Sequence, residues 1–131
     1  MARLSIHTLA EEDLSSIQQI DSVAAARIVV VLQEIQSDQK LLETLLDHNF
    51  GDDATESYHV SKWQEFWRKG LDLWRLKIWS LEFEGRKYRI VYAYDWRDLH
   101  FYVLGIVHRD FGYDPNDPRS QRILQAYADL R

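Results

Sequence analysis

The sequence predicts an α+β fold: a small antiparallel sheet, made of an N-terminal strand and a three-stranded meander, with two N-terminal helices packed on one face and a C-terminal helix. Three observations lead there. Between Ser22 and Asp47 apolar residues recur at helical spacing. Between Leu73 and Arg109 three runs alternate with a period of two. After Asp117-Pro118, which has the chemistry of an N-cap and a first helical proline, the helical period returns.

In order, Arg3–Leu9 alternates and reads as an initial strand. Leu14, Ile17 and Ile20 then recur at helical spacing behind an acidic first turn. From Ser22 to Asp47 the stripe Ile28, Val31, Leu32, Ile35, Leu42, Leu45 and Leu46 predicts one long helix. Its length outweighs the β-branched run Ile28–Val31, which a helix disfavours. Asn49–Tyr58 is a loop broken by Gly51. His59–Lys69 is predicted to be a short helix stopped by Gly70, with Val60, Trp63 and Phe66/Trp67 on one face.

The meander follows. Trp74, Leu76 and Ile78 point one way and Arg75, Lys77 and Trp79 the other. Glu84-Gly85 reads as a hairpin turn. In the next strand Tyr88, Ile90, Tyr92 and Tyr94 oppose Lys87, Arg89, Val91 and Ala93. In the last, Tyr102, Leu104 and Ile106 oppose Phe101, Val103, Gly105, Val107 and Arg109. Residues 119–130 form the closing helix, with Ile123, Tyr127 and Leu130 inward.

A length of 131 residues suits one domain, residues 1–131, with an inserted loop and short helix at about 50–70. The chain has no cysteine, which excludes disulfides, zinc–thiolate sites and thiol catalysis. No apolar run approaches the roughly 18 residues of a membrane span, and the N-terminus lacks a signal peptide's apolar middle. A cytoplasmic protein with no membrane partner is expected. The net charge of −5 hides a split: residues 1–60 hold 3 Lys/Arg against 11 Asp/Glu, and residues 61–131 hold 13 against 10.

Period-two alternation places Arg75 and Lys77 on one face of the first meander strand, Arg89 on a face of the second that lacks large apolar groups, and Arg109 at the end of the third. If those faces coincide, four cations converge, and grouped cations favour an anion such as phosphate. The ordinary alternative is that they are solvated and paired with Glu82, Glu84 or Asp110. His108 adjoins Arg109, and alternation sends it to the other face. His7, His48, His59 and His100 show no metal-ligand spacing. Asp110, Asp114 and Asp117 resemble a calcium loop only loosely.

The run WRLKIW…GRKYRIVYAYD…HFYVLGIVHR…Y resembles the core of the RelE/ParE superfamily of toxins from bacterial toxin–antitoxin pairs, over about residues 72–114. The resemblance implies a toxin neutralised by a cognate antitoxin protein and acting, with the ribosome, as an endoribonuclease on translated mRNA. It implies attack by the RNA's own 2′-hydroxyl on the adjacent phosphate, with no metal or other cofactor. In that pattern Lys77 helps deprotonate the hydroxyl or stabilises the result, and Arg75, Arg89 and Arg109 stabilise the phosphorane. Tyr113, or His108 if it turns inward, protonates or orients the leaving 5′-oxygen. The chain departs from the pattern in its acidic total, its residues 50–70 and the short spacing from Arg109 to Tyr113. A gyrase-poisoning relative and a non-catalytic binding module of the same fold are the alternatives.

Overall fold

The computed structural model describes residues 1–108, 110, 114 and 116–130. It is an α+β fold, as the sequence predicts. The elements are β1 (Arg3–Ile6), α1 (Thr8–Ile20), α2 (Ser22–Gln36), α3 (Gln39–Thr44), β2 (Tyr58–Lys62), α4 (Gln64–Arg68), β3 (Leu73–Ile78), α5 (Trp79–Phe83), β4 (Tyr88–Asp95), β5 (His100–His108) and α6 (Pro118–Ala128). The strands form one sheet in the order β1-β5-β4-β3-β2. β1 runs parallel to β5, and the other pairs are antiparallel. A parallel neighbour needs a long crossover, and the helices between β1 and the meander provide it.

Helices α1 to α3 cover one face. Ile17 of α1, Ile28, Leu32 and Ile35 of α2, and Leu42 of α3 pack there with Trp74, Leu76, Ile90, Tyr92, Phe101 and Val103. Tyr92 is fully buried in this layer and donates its phenol to the Leu45 carbonyl at 2.6 Å. The other face carries a smaller core. Trp63 at the start of α4, Phe66 of α4, and Ile123 and Ala126 of α6 cover Leu73, Val91, Ala93, Leu104 and Val107.

The helix expected from Ser22 to Asp47 is interrupted at Ser37 and Asp38. Asp38 is extended, and its carboxylate accepts from the backbone N–H of Lys40 at 2.9 Å, starting α3 as a new helix. An Asp that can cap competes with helix continuation. Asp21 likewise caps α2 by accepting from Ala24 N at 3.1 Å, and Asp117 caps α6 ahead of Pro118 as the sequence suggests.

The helix expected over His59–Lys69 is corrected more substantially. Tyr58–Lys62 is a fifth strand, and only Gln64–Arg68 is helical. Tyr58 and Val60 have strand spacing while Val60 and Trp63 have helical spacing, so the run fits both periods, and the open edge of β3 decides for strand. His59 pairs with Lys77 and Ser61 with Arg75. The Glu82–Arg86 hairpin is also more elaborate than expected, since the one-turn helix α5 follows β3 before the turn at Gly85, whose φ is +75°.

One irregularity re-aims β5. Val91 faces Gly105 while Tyr92 faces Val103, which leaves Leu104 as an extra residue. Phe101 and Val103 therefore share the helix-covered core with Ile106, not with Val107 as strict alternation predicts. Leu104 and Val107 join the smaller core. Gly105 is required by close approach: a Cβ there would meet Ile123 Cγ1 at 3.0 Å and Asp13 Oδ2 at 3.4 Å.

Candidate functional site

Helix α6 and α4 cover only part of the second sheet face. Beyond Leu73 and Val91 the strands turn from apolar to basic. Arg75 and Lys77 of β3 and Arg89 of β4 line one open cleft of about 350 Å³, with His48, Asn49, His59, Ser61, Lys62 and Gln64. The register explains this grouping. Ser61, Arg75 and Val91 lie side by side across three strands, as Cα partners. One step along, His59 lies beside Lys77, and Arg89 lies beside Val107. The period-two reading of Arg75, Lys77 and Arg89 thus places three expected cations on one face.

Each cation has local company. Arg89 pairs with Glu82 of α5 and also donates to the Tyr88 carbonyl at 3.1 Å. The Glu82 pairing is one of the partners that an ordinary surface role would supply. The Lys77 ammonium lies 4.6 Å from the centre of the Trp79 ring, within cation–π range. Trp79 is itself anchored, donating its indole N–H to the Gly51 carbonyl at 2.8 Å. Lys62 also lines the cleft, and its ammonium rests 4.4 Å from the centre of the Trp67 ring. Its backbone N–H donates to His48 Nδ1 at 3.0 Å, which ties the loop before β2 to the cleft rim.

His59 was not among the expected site residues. Its ring stacks on Trp79 with centroids 5.9 Å apart and planes 14° from parallel. Burial, then the Lys77 ammonium, holds its pKa below the usual 6.5, and Arg75 and His48 push the same way while Asp52 opposes them. The signal for it lay in the alternation of Tyr58, Val60 and Lys62 against His59 and Ser61.

His108 does not join the cations. It is the Cα partner of Tyr88 in the β4–β5 ladder, and its ring meets the Tyr88 ring edge-on at 5.3 Å. Tyr88 packs against the helix-covered core, whereas Arg89, the next residue along β4, lines the cleft on the other face. Arg109 and Tyr113 lie outside the described residues. The remaining histidines have structural partners. His7 Nδ1 accepts from Leu9 N at the start of α1, and His100 bonds Ser5 Oγ at 2.6 Å. Asp110 pairs with Arg119 at 2.8 Å, and Asp117 pairs with the same guanidinium at 2.9 Å.

A second concavity of about 400 Å³ lies at the opposite end of β4, lined by Asp72, Asp95, Trp96, Arg97 and Tyr127 among others. Although somewhat larger, it offers phosphate little. Asp72 accepts from the Trp74 indole at 2.8 Å, and Asp95 is held by Arg97 at 3.1 Å. The cationic cleft is therefore the candidate site on chemical grounds, because Arg75, Lys77 and Arg89 converge with Lys62 on a half-open surface. Among the described residues no helix is long and apolar enough to cross a membrane. No family model, curated protein or solved structure matches the chain.

Proposed function

We propose that the chain is the toxin of a toxin–antitoxin pair and acts in the cytoplasm as an endoribonuclease on translated mRNA. The observation that carries this reading is the convergence of Arg75, Lys77 and Arg89 on one cleft of an otherwise acidic protein. A phosphodiester bound there would accept bidentate hydrogen bonds from the guanidinium groups. The same groups would stabilise the extra negative charge of a pentavalent phosphorane. Cleavage proceeds by 2′-hydroxyl attack, giving a 2′,3′-cyclic phosphate and a 5′-hydroxyl, and this chemistry requires no metal. Lys77 stabilises charge at the reacting phosphate, and Arg109 and Tyr113 remain part of the proposed site through the family resemblance. The partners are mRNA, the ribosome and a cognate antitoxin that covers the cleft.

Induction in a bacterial host tests the reading. Growth arrest is expected from the parent, and relief of arrest from Arg75→Ala and Arg89→Ala at equal protein levels. Arrest accompanied by DNA damage and altered supercoiling, with intact mRNA, would replace the nuclease reading by gyrase poisoning. Full toxicity of both variants would remove the cleft from the account.

A further inference from the structure

The proposed reaction needs a group to take the proton of the attacking 2′-hydroxyl; the cleft's guanidinium groups are poor proton acceptors, and Lys77 as an ammonium has three donors and no acceptor. His108 lies on the other face of the sheet. We propose that His59 is this general base, a catalytic residue of the cationic cleft; the inference rests on the reading of the chain as an RNA-cutting toxin.

Three features of the geometry support the assignment. His59 is the register partner of Lys77 and lines the same cleft as Arg75 and Arg89, so a phosphodiester held by those cations lies against the imidazole. Its ring plane is set by stacking on Trp79, whose indole is fixed to Gly51. Its Nε2 is enclosed and has no hydrogen-bond partner among the described residues, whereas His7, His48 and His100 each have one ring nitrogen in a hydrogen bond. A buried polar atom without a partner is unusual and calls for an explanation, and a catalytic role is one that it admits.

The electrostatics fit the same role. The charged or titratable groups that act on His59 are Lys77 and Arg75 of β3, and His48 and Asp52 of the segment before β2. Burial and the cations keep the imidazole neutral in the empty cleft, which is the form a base requires. A bound phosphodiester offsets those cations and lets the ring accept a proton. In the step itself the O2′–P bond forms as the P–O5′ bond breaks. The hydroxyl proton goes to His59, and the departing 5′-oxygen takes a proton from solvent. The imidazolium then returns its proton to solvent, so the RNA is cut with no net consumption of water.

The test is single-turnover cleavage by the whole purified chain of mRNA carried in programmed ribosomes, across pH, for the parent, His59→Gln and His59→Ala. Binding of the same RNA with a 2′-deoxy substitution at the cut site is measured alongside. The variants are expected to lose roughly 100-fold or more in rate while binding the deoxy analogue within about threefold of the parent, and added imidazole is expected to restore part of the His59→Ala rate. The parent's rate should fall as pH drops and the imidazole becomes protonated, and that limb should be absent in His59→Gln. Cleavage by both variants at near-parental rates with the same acid limb overturns the assignment of His59 and leaves the nuclease reading standing. Loss of deoxy-RNA binding in step with rate also overturns it, by making His59 a binding or structural residue. No cleavage by the folded parent overturns the nuclease reading and this inference with it.

Discussion

Replacing Glu82 with Gln separates two roles for the cationic face. The Glu82 and Arg89 side chains are only 11% and 13% exposed, and they form an ion pair at the edge of the cleft. If the cations exist to satisfy nearby carboxylates, removing the Glu82 charge only weakens the fold. If they form an anion site, the same change removes an internal competitor for the incoming phosphate. A unit negative charge about 6 Å from another costs roughly 3 kcal/mol at an effective dielectric of about 20. Solvent and salt in an open cleft reduce this by about half. The remaining ~1.4 kcal/mol corresponds to about tenfold tighter binding. Stability should fall by about 1–3 kcal/mol, below the cost of stranding a fully buried charge, because Gln keeps an acceptor for Arg89. Titration with a non-cleavable 2′-deoxy oligonucleotide at low and high salt measures the first effect, and thermal unfolding the second. A destabilised variant whose affinity for the oligonucleotide is unchanged or weaker would refute the reasoning, since Arg89 would then be serving the fold alone.

Two further predictions concern the scaffold that positions the site. Tyr92→Phe removes the hydroxyl that donates to Leu45 and should lower stability by about 1–1.5 kcal/mol, read by chemical denaturation. Burial raises the Tyr92 phenol well above the usual 10.0. Its contribution is therefore fully present below pH 10 and lost as pH rises from there toward the folded-state value, and in an absorbance titration this phenol should ionise only as the chain unfolds. A Tyr92→Phe variant as stable as the parent would contradict the hydrogen-bond assignment. Gly105→Ala would press a methyl against Ile123 and the Asp13 carboxylate and should cost about 1–3 kcal/mol, read as a lowered Tm. An unchanged Tm would mean that α6 is not seated on β5 as closely as described.

The fold class was legible because long, regular patterns carried it: the alternation of Trp74, Leu76 and Ile78 against Arg75 and Lys77 persists in the sheet. Local competitions were harder to read. Asp38 could continue a helix or cap a new one, and its extended backbone with a side-chain bond to Lys40 N resolves the choice in favour of the cap. Tyr58–Lys62 could belong to a helix or a strand, and only the unpaired edge of β3, a tertiary fact, selects strand. That edge pairing also brings His59 beside Lys77, a neighbour that no motif around the histidine signals. The extra residue at Leu104 was invisible to a strict period of two, and it turns Val107 rather than Ile106 toward Arg89. Spacing along β3 and β4 therefore sufficed to group Arg75, Lys77 and Arg89, but it could not supply the wall contributed by a separate strand.

The most direct test of the central claim is the chemistry of the RNA ends. mRNA recovered after brief induction of the parent, or after incubation of the purified chain with programmed ribosomes, is mapped to single-nucleotide resolution and its termini are characterised. Cuts within the translated region that leave a 2′,3′-cyclic phosphate on one fragment and a 5′-hydroxyl on the other are expected, as is their loss in Arg75→Ala and Arg89→Ala chains that remain folded. Intact mRNA in both settings, or ends bearing a 5′-phosphate, would contradict the central claim.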